Sequence, residues 1–279
     1  MKTPEQLKGA IRNIAKKHQL QPQEVLQMFL FERVLERLSV SKYKDNFILK
    51  GGLLISSMIG ITERTTMDMD TTVRGIPMEE EKVLSIIKEI LSIDVGDEII
   101  FEFKKIEPIR EDDAYNNFRV SMNAIYGRIN TPMKIDITTG DKITPAAIEY
   151  SYKMMFEEKE VPVMAYSLET ILAEKYETII RRNIGNTRAR DFYDLYVLFK
   201  SRKCEIRQEE LQQAVENTAF KRGSMAKMKE YLEICKEIKD EPELRRLWSN
   251  YVEENIYVQN ISFEEVISNV MEVGKYISL

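Results

Sequence analysis

Apolar residues recur at helical spacing through most of the first 45 positions and predict two helices. The second opens near Pro22 and carries Val25, Leu26, Phe29, Val34, Leu35 and Leu38 on its inner face. Thr3 and Gln6, with Pro4 between them, read as a capping box that starts the first helix. The period then shortens. Phe47-Ile48-Leu49 is a brief apolar run that enters Lys50-Gly51-Gly52, and a short apolar helix is expected over 53–59. A strand is expected over 66–73, then a helix over 79–92 with Val83, Leu84, Ile86, Ile87 and Ile90 inward. Three strand-like runs follow: 99–106, which alternates weakly; Phe118, Val120, Met122, Ala124 and Tyr126; and Met133, Ile135 and Ile137 against Lys134, Asp136 and Thr138.

After Thr139-Gly140-Asp141 the pattern turns helical. Ser167 is the expected N-cap of a helix carrying Leu168, Ile171, Leu172, Lys175, Tyr176 and Ile179, which breaks over 183–186 at Gly185. Another helix begins near Arg190 and runs through Leu195 and Phe199, and the last opens at Ser262 with Glu265 as a capping box. These patterns predict an α+β protein. Residues 1–150 form N-terminal helices and a small mixed sheet with helices behind it, and 151–279 form a helical C-terminal half. The boundary falls between about 140 and 163, and no Gly/Ser-rich hinge marks it.

With 43% hydrophobic and 31% charged residues, the 279-residue chain has the composition of a globular protein, not a disordered one. No apolar run is long enough to span a bilayer and no charged leader precedes an apolar segment, so the protein is expected in the cytoplasm, away from membranes. Cys204 and Cys235 are too few for a disulfide framework, lack metal-ligand spacing, and are expected to be reduced. The single histidine, His18, follows Lys16-Lys17 at the end of the first predicted helix. That excludes a histidine-rich zinc site and makes a carboxylate the expected base. The net charge of −5 argues against a chain coated in nucleic acid. Residues 181–203 are locally basic, with Arg181, Arg182, Arg188, Arg190, Lys200, Arg202 and Lys203 against Asp191 and Asp194. Such a run can meet phosphates, or it can be an ordinary solvated helical surface.

The chemistry-bearing residues are acidic. Residues i and i+2 of a strand share a face, so Asp68, Asp70 and Thr72 point one way and Met69, Thr71 and Val73 the other. Two carboxylates side by side repel unless a cation lies between them, and oxygen-only ligands suit Mg²⁺. The alternative is the solvated face of a half-buried sheet. Asp136, in a second alternating run, can stand beside the pair if its strand is a neighbour. Gly51-Gly52 lies between an apolar run and a helix, where glycine allows close approach to phosphate and helix N–H groups face an anion; a plain strand-to-helix turn needs the same residues. Lys175 and Arg182 are two helical turns apart and share a face, as do Asp191 and Asp194.

Taken in order, Lys50-Gly51-Gly52, Arg64-Thr65-Thr66-Met67-Asp68-Met69-Asp70, Lys134-Ile135-Asp136, the helix from Lys175 to Arg182, and Arg190-Asp191-Phe192-Tyr193-Asp194-Leu195 resemble the four motifs of the AbiEii family of nucleotidyltransferase toxins of bacterial abortive-infection (type IV toxin–antitoxin) systems. The resemblance covers about 47–199. It implies a DNA-polymerase-β-like nucleotidyltransferase core and a helical C-terminal half that completes the active site. It implies metal ligands at Asp68, Asp70 and Asp136, with Mg²⁺ or Mn²⁺ as the cofactor and two ions about 3.5–4 Å apart. Lys50, Gly51, Gly52, Lys175 and Arg182 would bind the nucleotide. Lys175 and Asp191 would join the three carboxylates in catalysis, and Arg181, Arg188 and Arg202 would meet RNA. The implied reaction moves NMP from an NTP to an acceptor hydroxyl, with RNA, in particular a tRNA 3′ end, as acceptor. The outcome is growth inhibition in phage defence, with a cognate antitoxin acting without a stable complex. A protein or small-molecule acceptor, or a non-catalytic module that binds nucleotide or a partner, is the alternative. Leu53-Leu54 stands where the wider superfamily has a serine or threonine, which leaves Ser56, Ser57 or backbone N–H groups to contact a triphosphate.

Overall fold

Thr3 starts the first helix as its spacing predicts: Gln6 N–H donates to Thr3 Oγ1 (3.4 Å) and Thr3 N–H donates to Gln6 Oε1 (2.9 Å). This helix, α1 (Pro4–His18), turns Leu7, Ile11 and Ala15 inward and packs on α2 (Pro22–Ser39). The structure is a computed structural model describing residues 2–109 and 117–278. It divides into two compact units, Met1–Asp141 with Ile148–Ala165, and Lys142–Ala147 with Tyr166–Leu279.

In the first unit α2 is buried almost all round, including Glu32, Arg33, Glu36 and Arg37. Charges removed from water must find partners. Arg37 makes a two-point bond to Asp97 (2.7 and 2.6 Å) and donates to the Ile99 carbonyl (2.9 Å). Arg33 pairs with Glu36 (3.1 Å) and Glu157 (3.2 Å). Glu32 accepts the Met155 N–H (2.9 Å), and burial pushes its carboxyl up to about 8, so it is protonated at neutral pH.

The strands of this unit are β1 (Phe47–Lys50), β2 (Met69–Val73), β3 (Ile100–Pro108), β4 (Phe118–Tyr126), β5 (Ile129–Thr139), β6 (Ile148–Lys153) and β7 (Glu160–Ala165). They form one mixed sheet in the order β3-β4-β5-β2-β1-β7-β6. β1 runs antiparallel to β2, while β2–β5 and β1–β7 are parallel. α3 (Gly51–Ile59) follows β1 directly, and α4 (Glu80–Leu91) turns Val83, Ile86, Ile87 and Ile90 inward. This is the predicted α+β arrangement of a mixed sheet with helices.

Three details differ from the sequence reading. The sheet continues through β6 and β7, where a helical pattern was expected. β6 turns only Tyr152 fully inward and lies at the sheet's edge, so its apolar signal is weak; Pro162 dilutes that of β7. α3 starts at Gly51, two residues early, because Gly51 takes φ +68° and turns the chain straight into the helix. β2 starts at Met69, leaving Asp68 in the turn before it, where Thr66 Oγ1 accepts the Asp68 N–H (3.3 Å).

The second unit is helical: α5 (Leu168–Arg182), α6 (Ala189–Ser201), α7 (Gln208–Lys221), α8 (Met225–Lys229), α9 (Tyr231–Asp240), α10 (Pro242–Glu254) and α11 (Phe263–Tyr276). Ser167 caps α5 by accepting the Thr170 N–H (3.2 Å) and is itself anchored on the Thr144 carbonyl (3.0 Å). α5 ends where Asn183 takes φ +51°, and a 3₁₀ turn over Asn183–Gly185 follows. Tyr176, Ile179, Tyr193, Leu198, Phe199, Val266 and Val270 are buried in this unit. No helix among the described residues is long and apolar enough to cross a membrane.

Candidate active site

Strand register lines up four charged residues. Arg119 of β4 is paired with Asp136 of β5, Asp136 with Asp70 of β2, and Asp70 with Lys50 of β1. Directly paired residues on neighbouring strands project to the same side of a sheet. Asp70 and Asp136 are therefore neighbours on one face, flanked by Arg119 and Lys50. Asp68, partly exposed, lies two residues ahead of Asp70 in the turn that enters β2.

The two glycines are shaped to this face. A Cβ on Gly51 would fall 2.1 Å from Asp70 Oδ2, so the Asp70 carboxylate lies where a side chain would have been. A Cβ on Gly52 would fall 2.8 Å from Thr66 Oγ1, the hydroxyl that holds the turn carrying Asp68. The glycine pair thus lets α3 press its first turn against Asp70 and against the Thr66 hydroxyl. Leu53 and Leu54 are fully buried, which explains why no hydroxyl stands there. Ser56 does not supply one: it is buried and donates to the Arg64 carbonyl. Ser57 donates to the Leu54 carbonyl (2.8 Å).

Two cations on this face hold acids. Arg119 grips Asp136 at two points, Nε to Oδ1 and Nη2 to Oδ2, both 2.7 Å. That bond, helped by the charges of Asp136 and Asp68, raises the guanidinium's pKa above the ordinary arginine value against the effect of burial. Lys50 Nζ donates to Asp141 Oδ2 (2.5 Å), which also accepts from Thr138 (3.2 Å). Neither Arg119 nor Asp141 was singled out from sequence. The signal for Arg119 was its place as the one charge on the polar side of the β4 alternation, Arg119, Ser121, Asn123.

The donors are carboxylate oxygens, which in kind suit a hard divalent cation such as Mg²⁺ or Mn²⁺. A two-point arginine bond takes one lone pair on each oxygen of Asp136 and leaves one on each for another partner. Among the described residues, no three histidine, cysteine or acidic side chains are drawn together as a metal-ligating cluster.

In the helical unit, Lys175 of α5 lies between two aspartates of α6, with its Nζ 2.7 Å from Asp191 Oδ1 and 2.8 Å from Asp194 Oδ2. Burial works against its charge, but Asp194 and Asp191 outweigh that and hold the ammonium above the ordinary lysine value. Asp194 is fully buried and Asp191 nearly so. Arg182 ends α5 and is partly exposed.

The basic run is largely answered by acids from its own unit. Arg181 donates to Glu177 (2.8 Å) and Arg202 to Glu205 (2.5 Å), while Lys200 and Lys203 share Glu272 (both 2.6 Å). Arg188 and Arg190 are exposed. These acids come from positions scattered over 177–272, so a window of sequence over 181–203 did not count them.

A family model described as nucleotidyl transferase AbiEii toxin, type IV toxin–antitoxin system, matches residues 33–269. The chain belongs to this AbiEii family. It is accordingly a nucleotidyltransferase of a toxin family. No curated protein matches it in sequence. Two crystal structures from Helicobacter pylori share its fold, each with a TM-score of 0.50 and 14% identity over 93% of this chain. One is of a candidate nucleotidyltransferase, of which 98% is covered, and the other is of JHP933, of which 95% is covered.

Proposed function

We propose that this AbiEii protein moves a nucleoside monophosphate from an NTP to an acceptor hydroxyl with the help of Mg²⁺ or Mn²⁺, for which the paired Asp70 and Asp136 are the first ligands and Asp68 is drawn in when the ion binds. The observation that carries this reading is the in-register pairing of Asp70 with Asp136, with the Asp70 carboxylate seated over Gly51. The acceptor oxygen attacks the α-phosphorus, the bond from that phosphorus to the β-phosphate bridging oxygen breaks, and pyrophosphate leaves. The hydroxyl proton passes to a carboxylate, for which Asp136 is the candidate. A divalent cation bound here would lower the acceptor hydroxyl's pKa and neutralise charge on the triphosphate. The first N–H groups of α3, at Gly51 and Gly52, would meet a phosphate as helix N-termini do, with Lys50 beside them. Lys175 and Arg182 as further phosphate contacts, and Asp191 as the group that orients Lys175, enter through the family resemblance.

RNA is the proposed acceptor, a tRNA 3′ end in particular, and growth inhibition in phage defence the outcome. An antitoxin that acts without a stable complex and a cytoplasmic setting complete the proposal. Among the three arginines expected at RNA, Arg181 and Arg202 are paired with acids, which directs attention to Arg188 and its exposed neighbour Arg190. The same pairing favours, as the second reading, a protein or small-molecule acceptor.

The test is incubation of the protein with Mg²⁺, total RNA and each NTP in turn labelled at the α-phosphate. Label in RNA of tRNA size supports the first reading, and label only in protein or small molecules supports the second. Label in no acceptor overturns nucleotidyl transfer. Where RNA is labelled, reversing Arg188 and Arg190 to glutamate should weaken RNA binding and flatten its salt dependence.

A further inference from the structure

Arg119 stands against the carboxylates that the reading above gives to a divalent cation. It takes both oxygens of Asp136 at 2.7 Å, and Asp68 adds to the field at its guanidinium. Asp136 is the more enclosed partner, 14% exposed against 34% for Arg119. A group so placed acts in two opposing ways. Its grip fixes the Asp136 carboxylate in one orientation, which favours a ligand that needs that orientation. Its charge repels an incoming cation, and a divalent ion feels that repulsion twice as strongly as a monovalent one. Fixing one short side chain removes only two torsions. The charge is the larger effect.

We infer that Arg119 is a positioning residue that aligns Asp136 and keeps the carboxylate face weak for a bare divalent cation. The negative triphosphate offsets the arginine charge, so cation and nucleotide enter together. This inference rests on the proposed metal-dependent nucleotidyl transfer.

The test is a Mn²⁺ titration followed by the electron paramagnetic resonance signal of the free ion, with and without a non-hydrolysable NTP analogue. It uses the full chain as wild type, Arg119→Gln, Arg119→Lys and Asp70→Asn. Arg119→Gln should bind Mn²⁺ alone about five- to tenfold more tightly than wild type, and should gain less affinity when the analogue is added. Arg119→Lys keeps the charge and loses the two-point grip, so its Mn²⁺ affinity should stay within about twofold of wild type. Equal or weaker Mn²⁺ binding by Arg119→Gln would overturn the inference while leaving the carboxylate site in place. If Arg119→Gln does not fold, a severalfold loss of Mn²⁺ affinity in Arg119→Lys overturns it instead. No Mn²⁺ binding to wild type under either condition, or binding that Asp70→Asn leaves unchanged, would overturn it together with the metal site on which it rests.

Discussion

At position 51 only a hydrogen fits. Gly51 takes φ +68°, which costs an L-residue about 1–2 kcal/mol, and any Cβ would collide with the Asp70 carboxylate. Gly51→Ala should therefore lower stability by about 1–2 kcal/mol and displace Asp70 as well. Urea unfolding together with a Mn²⁺ titration checks this: metal affinity should fall in the folded variant, and an unchanged affinity would mean that Asp70 does not depend on the glycine. Lys175 presents a different case. It compensates two buried carboxylates, so Lys175→Ala removes the ammonium that Asp191 and Asp194 share. The expected loss is about 3–5 kcal/mol of stability, larger than a merely phosphate-binding lysine would give. A denaturation midpoint equal to wild type would show that the cluster is not structural. Sequence spacing put Asp191 and Asp194 on one helix face, as the structure has them, but did not show that both meet the Lys175 ammonium.

Among the elements, α2 shows most clearly what patterning conceals. Its apolar positions predicted a helix with one inward face that opens near Pro22, where it does open. Its charged face is buried too, because Asp97–Ile99 and the turn between β6 and β7 cover it, and neither partner is near in sequence. One consequence is a pH dependence. Glu32 is raised from its ordinary 4.5 to about 8 by burial, among Arg33, Glu36, Glu157 and, through Glu36, Lys159. Between these values the folded state holds a proton that the unfolded state has released. The stability this group provides is thus fully present below pH 4.5 and is lost as pH rises through 8. The change across that window is up to about 5 kcal/mol. Glu32→Gln keeps the acceptor for Met155 and removes the titration. Its stability advantage over wild type should grow between pH 5 and pH 8.5, roughly the span of that window, as measured by urea midpoints. Parallel curves for the two proteins would contradict this. The strands show the converse limit. β4 and β5 alternate cleanly and were legible, whereas β6 and β7, short and diluted by charge and proline, were not.

For the whole molecule, the order of short motifs was more informative than any one of them. Lys50-Gly51-Gly52, Asp68-Met69-Asp70 and Asp136 are far apart in sequence, and hydrogen-bonded register brings Lys50, Asp70 and Asp136 into one row. What sequence could not supply was the electrostatic company of those residues. Arg119 reaches Asp136 only because β4 pairs with β5 at that register, and the basic run loses its surplus to Glu177 and Glu205 just outside it and to the distant Glu272. The central claim is that the paired carboxylates drive nucleotidyl transfer, and the most direct test is the rate of α-phosphate label transfer by Asp70→Asn and Asp136→Asn in Mg²⁺. Melting temperatures matched to wild type would exclude unfolding as the cause of any loss. The account predicts a rate at least about 100-fold below wild type in both variants, the scale on which losing a preorganised charge acts on a developing transition state. Transfer at the wild-type rate by either variant would contradict it.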